Sequence, residues 1–286
     1  MARDSECCGE FRMISLTSCI LCGSGASVIV QKQTGHDEYL QLLQIDHEKS
    51  ERSWIKCLDC GLVRQSSTLD HDETTKLYLM FRNRSIRSEN PDEYFERITS
   101  LPPDESENFQ RCVWMQDKIP TSGSVLDIGC GGGVFLHKFI EFFGSNWNVM
   151  GIEPTVEYAE LASRRLGVIV KPGMFESRAF SEKLFDVITI NHVLEHIIDP
   201  LVFLRDARDL LKPNGIIYLE TPDQSDFGFL PTTHDRFSLQ HNWYFRLADL
   251  ENFGRRAGLT PVKSETFMSI RNRKNARILL KSVSST

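Results

Sequence analysis

Four cysteines in the first quarter of the chain carry its plainest chemistry. Cys19-Ile20-Leu21-Cys22-Gly23 and Cys57-Leu58-Asp59-Cys60-Gly61 repeat one pattern, Cys-x-x-Cys-Gly, with 34 residues between Cys22 and Cys57. Two thiolates three positions apart in a tight turn reach one tetrahedral Zn²⁺, and the glycine that follows supplies the positive φ such a turn needs. Two knuckles give four soft ligands and a closed shell, so Cys19, Cys22, Cys57 and Cys60 are expected to hold a structural zinc ion without a catalytic role. The competing reading, four buried thiols or two redox pairs, suits a lone Cys-x-x-Cys better than two copies each followed by glycine. Cys7 and Cys8 are read as bystanders. Cys112 and Cys130 have apolar neighbours and are read as packing residues.

A second constellation begins at Gly123. The run Ser124-Val125-Leu126-Asp127-Ile128-Gly129 reads as a short apolar strand, Cys130-Gly131-Gly132-Gly133 as a glycine turn, and Val134 to Ile140 as the start of a helix. Strand, glycine turn and helix form the geometry in which a backbone approaches a bound nucleotide closely. A dinucleotide fingerprint requires glycine at position 134, where Val134 stands, and no lysine follows in P-loop register. A second strand, Asn148 to Glu153, ends in an acid 24 residues after Gly129. A carboxylate at that strand end accepts both hydroxyls of a ribose. The turn therefore argues against a dinucleotide, while the acid argues for an adenosine-bearing ligand.

The elements that must position these groups fall into four stretches. Residues 1–15 read as a loose tail. Residues 16–70 read as a zinc-ribbon-like module, with short β-like runs at Ala26 to Lys32, Tyr39 to Ile45 and Ser53 to Lys56. Residues 71–121 read as a helical linker or lid with apolar residues at helical spacing, broken at Pro102-Pro103. Residues 122–286 read as an α/β domain. Arg82, Arg84 and Arg87 form a small basic cluster, read as a solvated helix face.

Composition narrows the partners. The chain has 286 residues and a formal net charge of -6, so it has no global basic field to collect nucleic acid or anionic membrane. No stretch is apolar enough to span a bilayer, and the N-terminal segment has acids where a signal peptide needs its apolar core. A cytoplasmic location is expected. Eight cysteines in a reducing compartment point to metal or burial before disulfides.

The segment VLDIGCGGGVFL, then GIEPT, then FDVITINHVLEHIIDPLVFLRDARDLLKPNGIIYLETPD, resembles class I S-adenosylmethionine-dependent methyltransferases over roughly residues 122 to 267. The resemblance implies a Rossmann-like sheet of seven strands with a reversed last strand, which a hairpin of Leu259 to Phe267 and Ala276 to Lys281 would supply. It implies that Asp127, Gly129, Cys130, Gly131 and Gly133 line the cofactor and that Glu153 holds its ribose. In many relatives an acid after the third strand bonds the adenine; Met174 stands there, so Met174 and Phe175 are expected to offer apolar and backbone contact instead. Asn191 is placed beside the sulfonium.

Methyl transfer from a sulfonium is an in-line displacement, helped mainly by positioning and by a base where the acceptor must lose a proton. His196 and Glu195, after the fourth strand, are the first candidates, and His241 in His241-Asn242-Trp243-Tyr244-Phe245 is the next. The alternative for each is a capping or packing role. Quinone-precursor O-methyltransferases within the resembling family carry glutamate at the place of His192 and can hold a divalent metal there. His192 departs from that pattern, which weakens a site made of His192, Glu195 and His196. The loop Asp223 to Leu239, with Phe227, Phe229 and Phe237, is a candidate acceptor lid.

A zinc ribbon ahead of this domain resembles enzymes of bacterial surface-glycan and natural-product pathways, implying a small acceptor, a nucleotide sugar or a carrier-linked metabolite. Related sugar C-methyltransferases carry a further large C-terminal domain, so its absence here favours O- or N-methylation. Two other readings remain. A ribosomal or transfer RNA methyltransferase would use Arg82 to Arg87 and Arg271, Arg273, Lys274, Arg277 and Lys281 on phosphate, thin support against an acidic whole. A non-catalytic zinc scaffold would have no need of both the glycine turn and Glu153. Oligomeric state is not legible.

Overall fold

The computed structural model describes residues 13–33, 37–43, 45, 52–80, 89–180, 184–232 and 234–283, without the side chain of Asp226. Cys7, Cys8, Arg82, Arg84 and Arg87 lie outside the described residues.

The N-terminal part runs β1 (Met13–Ser15), β2 (Ser27–Gln33), α1 (Glu38–Leu42), β3 (Arg52–Cys57), β4 (Val63–Gln65) and β5 (Ser67–Leu69). The run expected as a strand at Tyr39 to Ile45 is largely the helix α1. Its cap explains the difference. Asp37 accepts a hydrogen bond from Tyr39 N at 3.0 Å, pairs with Arg52 at 2.7 Å and accepts from Leu239 N at 2.6 Å. A side chain that satisfies the first free N–H of a turn starts a helix despite apolar residues that also suit a strand. Three helices follow: α2 (His71–Met80), α3 (Pro91–Thr99) and α4 (Glu107–Met115).

The C-terminal part alternates strands and helices: β6 (Gly123–Ile128), α5 (Val134–Phe143), β7 (Trp147–Glu153), α6 (Val156–Leu166), β8 (Ile169–Pro172), β9 (Phe185–Asn191), α7 (Pro200–Asp209), β10 (Leu211–Pro222), β11 (Trp243–Tyr244), α8 (Leu247–Arg256), β12 (Leu259–Met268) and β13 (Lys274–Ser282). Seven of these strands form one sheet in the order β12-β13-β10-β9-β6-β7-β8. β10, β9, β6, β7 and β8 are parallel, while β13 is antiparallel to β10 and to β12. This is the expected Rossmann-like α/β fold, with the final hairpin supplying the reversed strand.

Helices cover both faces, so the inner strands are apolar on both sides. One buried cluster joins Ile128, Ile188, Ile190 and Ile217 to Leu204, Leu250 and Phe253 of α7 and α8. The other joins Val125, Val187 and Tyr218 to Cys112, Leu136, Phe139 and Ala162 of α4, α5 and α6. Cys112 and Cys130 are buried in this second cluster, as packing residues should be. Among the described residues no helix is long and apolar enough to cross a membrane.

The two parts share structure. The second sheet has the order β11-β4-β3-β2, so Trp243–Tyr244 completes the sheet of the N-terminal module. Trp54 of β3, 1% exposed, meets Phe227, Phe237 and Tyr244 edge-on at centroid separations of 5.7, 5.9 and 5.3 Å. Phe227 and Phe237 are therefore core residues, and the loop expected to be a lid is anchored by them; of its three phenylalanines, Phe229 stands out in solvent. Trp54→Ala should lower the free energy of unfolding by about 3–5 kcal/mol, as a large aromatic removed from a packed box does. Urea unfolding followed by fluorescence of the remaining tryptophans checks it.

Candidate active site

The glycine turn between β6 and α5 is the first wall of the site. Gly129 has φ 75°, and a Cβ there would lie 2.6 Å from Val193 Cγ2, so position 129 tolerates no side chain. Gly129 N and Cys130 N both donate to Ile152 O, at 2.8 and 3.0 Å, which locks the turn onto the end of β7. Cys130, expected among the cofactor contacts, turns its thiol into the core toward Gly151 and Leu136. It leaves only its backbone to the site. Glu153, 4% exposed, ties the turn down: Gly131 N donates to its Oε2 at 2.8 Å and Thr155 N to its Oε1 at 3.0 Å. Gly173 N donates to Glu153 O at 2.9 Å, which brings Met174 and Phe175 alongside. Phe175 packs on Phe203 at 5.3 Å between ring centres. Thr155 Oγ1 donates to Tyr78 O, so the end of α2 lies over this edge.

Asp127 and Asn191 meet at the neighbouring ends of β6 and β9. Asp127 Oδ1 accepts from Thr189 Oγ1 at 2.7 Å and from Asn191 Nδ2 at 3.2 Å. Burial pushes the Asp127 carboxyl up to about 7, and the bonds from Thr189 and Asn191 offset only part of that. Asn191 Oδ1 is buried with no hydrogen-bond partner among the described residues. An orphaned acceptor beside a carboxyl of raised pKa is the mark of a place that receives a donor-rich, cationic ligand group.

The raised pKa has a stability consequence. A carboxyl whose folded pKa exceeds its unfolded value favours folding most when protonated, and that contribution disappears as pH rises from the unfolded value through about 7. Asp127→Asn keeps an acceptor for Thr189 and Asn191 without the buried charge. The ligand-free variant should melt several degrees above the native chain at pH 8 and show a smaller gain at pH 5. Differential scanning calorimetry at the two pH values checks it.

Past β9 the chain enters a 3₁₀ turn, Leu194–His196. Here the structure brings together the three expected catalytic residues. Glu195, His196 and His241 offer ligand-type atoms that all lie within 4.8 Å of one another. The two imidazoles stand 4.7 Å apart, centre to centre. His196 Nδ1 is 3.0 Å from Gln240 O, and His241 Nδ1 is 2.7 Å from Arg236 O. Carbonyls only accept, so in each neutral ring the proton sits on Nδ1 and the lone pair on Nε2. Burial lowers both rings below the usual histidine range, and the neighbouring His196 helps to bring His241 to about 4. Both are neutral bases near pH 7.

His192 behaves differently. It has φ 52°, unusual for a residue with a side chain. Its Nε2 lies 3.0 Å from Glu220 Oε1 and its Nδ1 3.4 Å from Glu195 Oε1. Burial alone would depress its pKa, yet the bonds with Glu195 and Glu220 outweigh it and raise the value to about 9. With Nε2 bonded to Glu220 and Nδ1 facing Glu195 at 3.4 Å, the His192 ring is turned to two carboxylates and not to Nε2 of His196. The group with ligand atoms close together is Glu195, His196 and His241, and His192 is not part of it.

Sequence reasoning missed the supports. Arg111 of α4 forks onto Glu220 with bonds of 2.9 and 2.6 Å, and Asn108 braces it at 2.7 Å. Asn242 N donates to Glu195 O and Asn242 Nδ2 to His196 O, each at 2.8 Å, while Thr68 Oγ1 donates to Asn242 Oδ1 at 2.6 Å. Gln65 Nε2 donates to His241 O. β4 and β5 thus hold the His241 segment against the Glu195 turn. Asn242 was legible only as His241's neighbour, and nothing in the linker pattern marked Arg111.

The four cysteines of the N-terminal module also converge. Cys19 Sγ and Cys60 Sγ are 3.5 Å apart, Cys22 Sγ and Cys57 Sγ likewise, and all four lie within 4.8 Å of one another. Gly23 and Gly61 have φ 79° and 78°, as two tight knuckles require. Arg246 donates to Cys60 O and Arg256 to Leu21 O, so both ends of α8 grip the knuckles.

Comparison with known proteins agrees with this geometry. A family model described as "Methyltransferase domain" matches residues 94–264. The chain is 26% identical over 215 residues to a ubiquinone biosynthesis O-methyltransferase of Pseudomonas fluorescens, covering 68% of this chain and 85% of the relative. It is 29% identical over 177 residues to the protein of that name from Ralstonia nicotianae, covering 54% and 71%. Among solved structures, a 1,6-didemethyltoxoflavin-N1-methyltransferase from Burkholderia thailandensis has a TM-score of 0.54 at 18% identity, covering 82% of this chain and 97% of that one, a likeness of fold. The glycine turn, the acid closing β7 and the matched domain lead to one conclusion: this chain belongs to the methyltransferase-domain family and is an S-adenosylmethionine-dependent methyltransferase.

Proposed function

We propose that the chain methylates a hydroxyl of a small acceptor that enters beside Glu195, His196 and His241, with His196 receiving the acceptor's proton. The observation that carries this reading is the convergence of these three side chains just past Asn191, where β9 ends. S-adenosylmethionine, when bound, supplies an electrophilic methyl group. The residues that fit it are the backbone of Gly129 to Gly133, Asp127 and Asn191 toward its ammonium group, Glu153 toward its ribose, and Met174 and Phe175 toward its adenine. Asp127 ionises as it takes up a cationic group, and the orphaned Asn191 Oδ1 gains its donor. When the sulfur–methyl bond breaks and the oxygen–methyl bond forms, leaving S-adenosylhomocysteine, His196, neutral with its lone pair on Nε2, would accept the hydroxyl's proton and Glu195 would stabilise the resulting imidazolium. His241, less basic, orients the acceptor.

Names of the relatives favour oxygen as the acceptor atom. A sugar or carrier-linked metabolite remains the preferred acceptor class, with a catechol tested beside it. For RNA, Arg271, Arg273 and Arg277 are poorly placed, since each is paired with an acid, Glu107, Asp235 and Glu265 in turn.

We assign Zn²⁺ to Cys19, Cys22, Cys57 and Cys60. A tetrahedron with Zn–S bonds of ~2.3 Å sets its sulfurs about 3.8 Å apart, close to the spacing of these thiols. The shell is closed, so this ion has a structural role.

Calorimetric titration with S-adenosylmethionine and, in parallel, NADH, with zinc determined on the same sample, tests the assignment. Micromolar binding of the first ligand alone with about one zinc per chain supports it. A screen of nucleotide sugars and catechols for S-adenosylhomocysteine release then reads the acceptor. Turnover that survives His196→Asn unchanged would remove the assigned base.

A further inference from the structure

A line of charged side chains leads to the candidate catalytic cluster: Arg111 and Glu220, both buried, then His192, whose side chain is 36% exposed, then buried Glu195. Glu220 is already matched by the Arg111 fork, by Tyr218 Oη and by Asn275 Nδ2. Its carboxylate is held well below the usual range: burial opposes this, but Arg111 and His192 prevail. The positive charge of His192 is therefore left as the counter-ion of Glu195. Carboxylate oxygens face both ring nitrogens, Glu220 Oε1 in a 3.0 Å hydrogen bond to Nε2 and Glu195 Oε1 at ion-pair distance, 3.4 Å, from Nδ1, which favours protons on both because an ionised carboxylate oxygen cannot donate. The Glu195 carboxylate is 2% exposed and sits between two imidazoles. Its Oε1 lies 3.4 Å from His192 Nδ1 and 3.9 Å from His196 Nε2.

We propose that His192 is a positioning residue, an imidazolium that draws the Glu195 carboxylate to itself and so leaves His196 uncharged and able to take a proton. The inference deepens the proposed function, since it rests on His196 being the base. A neutral His196 beside an uncompensated buried carboxylate would gain a proton and lose its basic lone pair. His192 prevents this in two ways. It occupies the nearer side of Glu195, and its own charge opposes a second one. Burial of His196 acts in the same direction. The other titratable groups that face these rings are His241, with Asp235 acting on it, and Tyr78, whose ring lies 5.9 Å from that of His196. The strained backbone at position 192 fits this role. A φ of 52° and a bond from His192 N to Glu220 O at 2.9 Å hold the ring between the two carboxylates.

The test is a pH titration of ¹⁵N-histidine-labelled, zinc-loaded protein by long-range ¹H–¹⁵N NMR, with signals assigned by single substitution. In the native chain, His192 should show two protonated ring nitrogens at pH 7 while His196 shows one. In His192→Gln the midpoint of His196 should rise by about one pH unit or more. His192→Lys, which restores the cation, should return it toward the native value. If His192→Gln does not fold, Glu195→Gln still reads the pair, since His192 should then lose its proton at lower pH. A neutral His192 at pH 7, or an unmoved His196 in His192→Gln, overturns the proposal. Selective broadening of His196 and His241 by substoichiometric Mn²⁺ also overturns it, because Glu195 would then serve a metal. A shifted His196 together with full turnover in His196→Asn would uphold the charge arrangement and remove the base assignment alone.

Discussion

Cys57→Ser should yield a protein without zinc, without a folded N-terminal module and with methyl transfer reduced at least 100-fold. Structural zinc in small domains contributes roughly 10–16 kcal/mol of apparent binding energy at neutral pH, far more than a module of this size stores in its own core. The loss would not stay local. Cys19, Leu21, Cys57 and Leu62 belong to the same buried cluster as Leu250 and Phe253 of α8. β4 and β5 hold the segment that carries His241 and Asn242, through Gln65 N to Asn242 O at 3.0 Å and Thr68 Oγ1 to Asn242 Oδ1 at 2.6 Å. A displacement of about 1 Å at a catalytic group costs on the order of 100-fold in rate. Zinc analysis, circular dichroism and methyl transfer on one preparation check the three effects. S-adenosylmethionine binding should survive better than turnover, because the glycine turn is tied down by bonds to the end of β7, from Gly129 N and Cys130 N to Ile152 O and from Gly131 N to Glu153. Full turnover by zinc-free protein would show that the module positions nothing.

Glu220→Gln should be the most destabilising single change in the catalytic half, by about 3–5 kcal/mol. The carboxylate is 1% exposed and the Arg111 side chain 10%, so removing one leaves the other charged, buried and short of acceptors. His192 loses its partner at the same stroke. Arg111→Met with Glu220→Leu should recover part of the lost stability, because the Arg111 guanidinium is no longer left buried without its carboxylate, although His192 still lacks Glu220. Chemical denaturation at pH 7 measures both variants. The pH dependence follows from the same pair. The folded pKa of Glu220 lies below the unfolded value, so its contribution is complete above the ordinary glutamate range and fades as pH falls through the folded value. The native chain should therefore lose stability on acidification more steeply than the double variant.

The sheet and the glycine turn were legible because each rests on local chemistry. A strand that must be apolar on both faces, glycines where φ is positive and an acid at a strand end all leave marks at single positions. The four cysteines were legible for the same reason. Helix α1 was not, since its cap Asp37 is fixed as much by Arg52 and Leu239, remote in sequence, as by its own turn. Phe227 and Phe237 looked like a lid because a sequence shows aromatic residues in a loop but not the Trp54 that buries them. His196 and His241 were identified one by one; their closeness depends on Asn242, whose bonds reach two other segments. The charge of His192 left no trace in the sequence, because Glu220 and Arg111 lie 28 and 81 residues away.

Strand β11 has a consequence for how the chain is made. Its two residues pair with Arg64 and Val63, so the sheet of the N-terminal module cannot close until residue 244 has left the ribosome. At roughly 5–20 residues per second, synthesis of the intervening segment takes about 10–40 s. Through that interval β4 has an open edge and Trp54 lacks the rings that cover it. A nascent chain stalled before Trp243 should thus present a ready strand edge to chaperones, and release of that edge should coincide with completion of the active site.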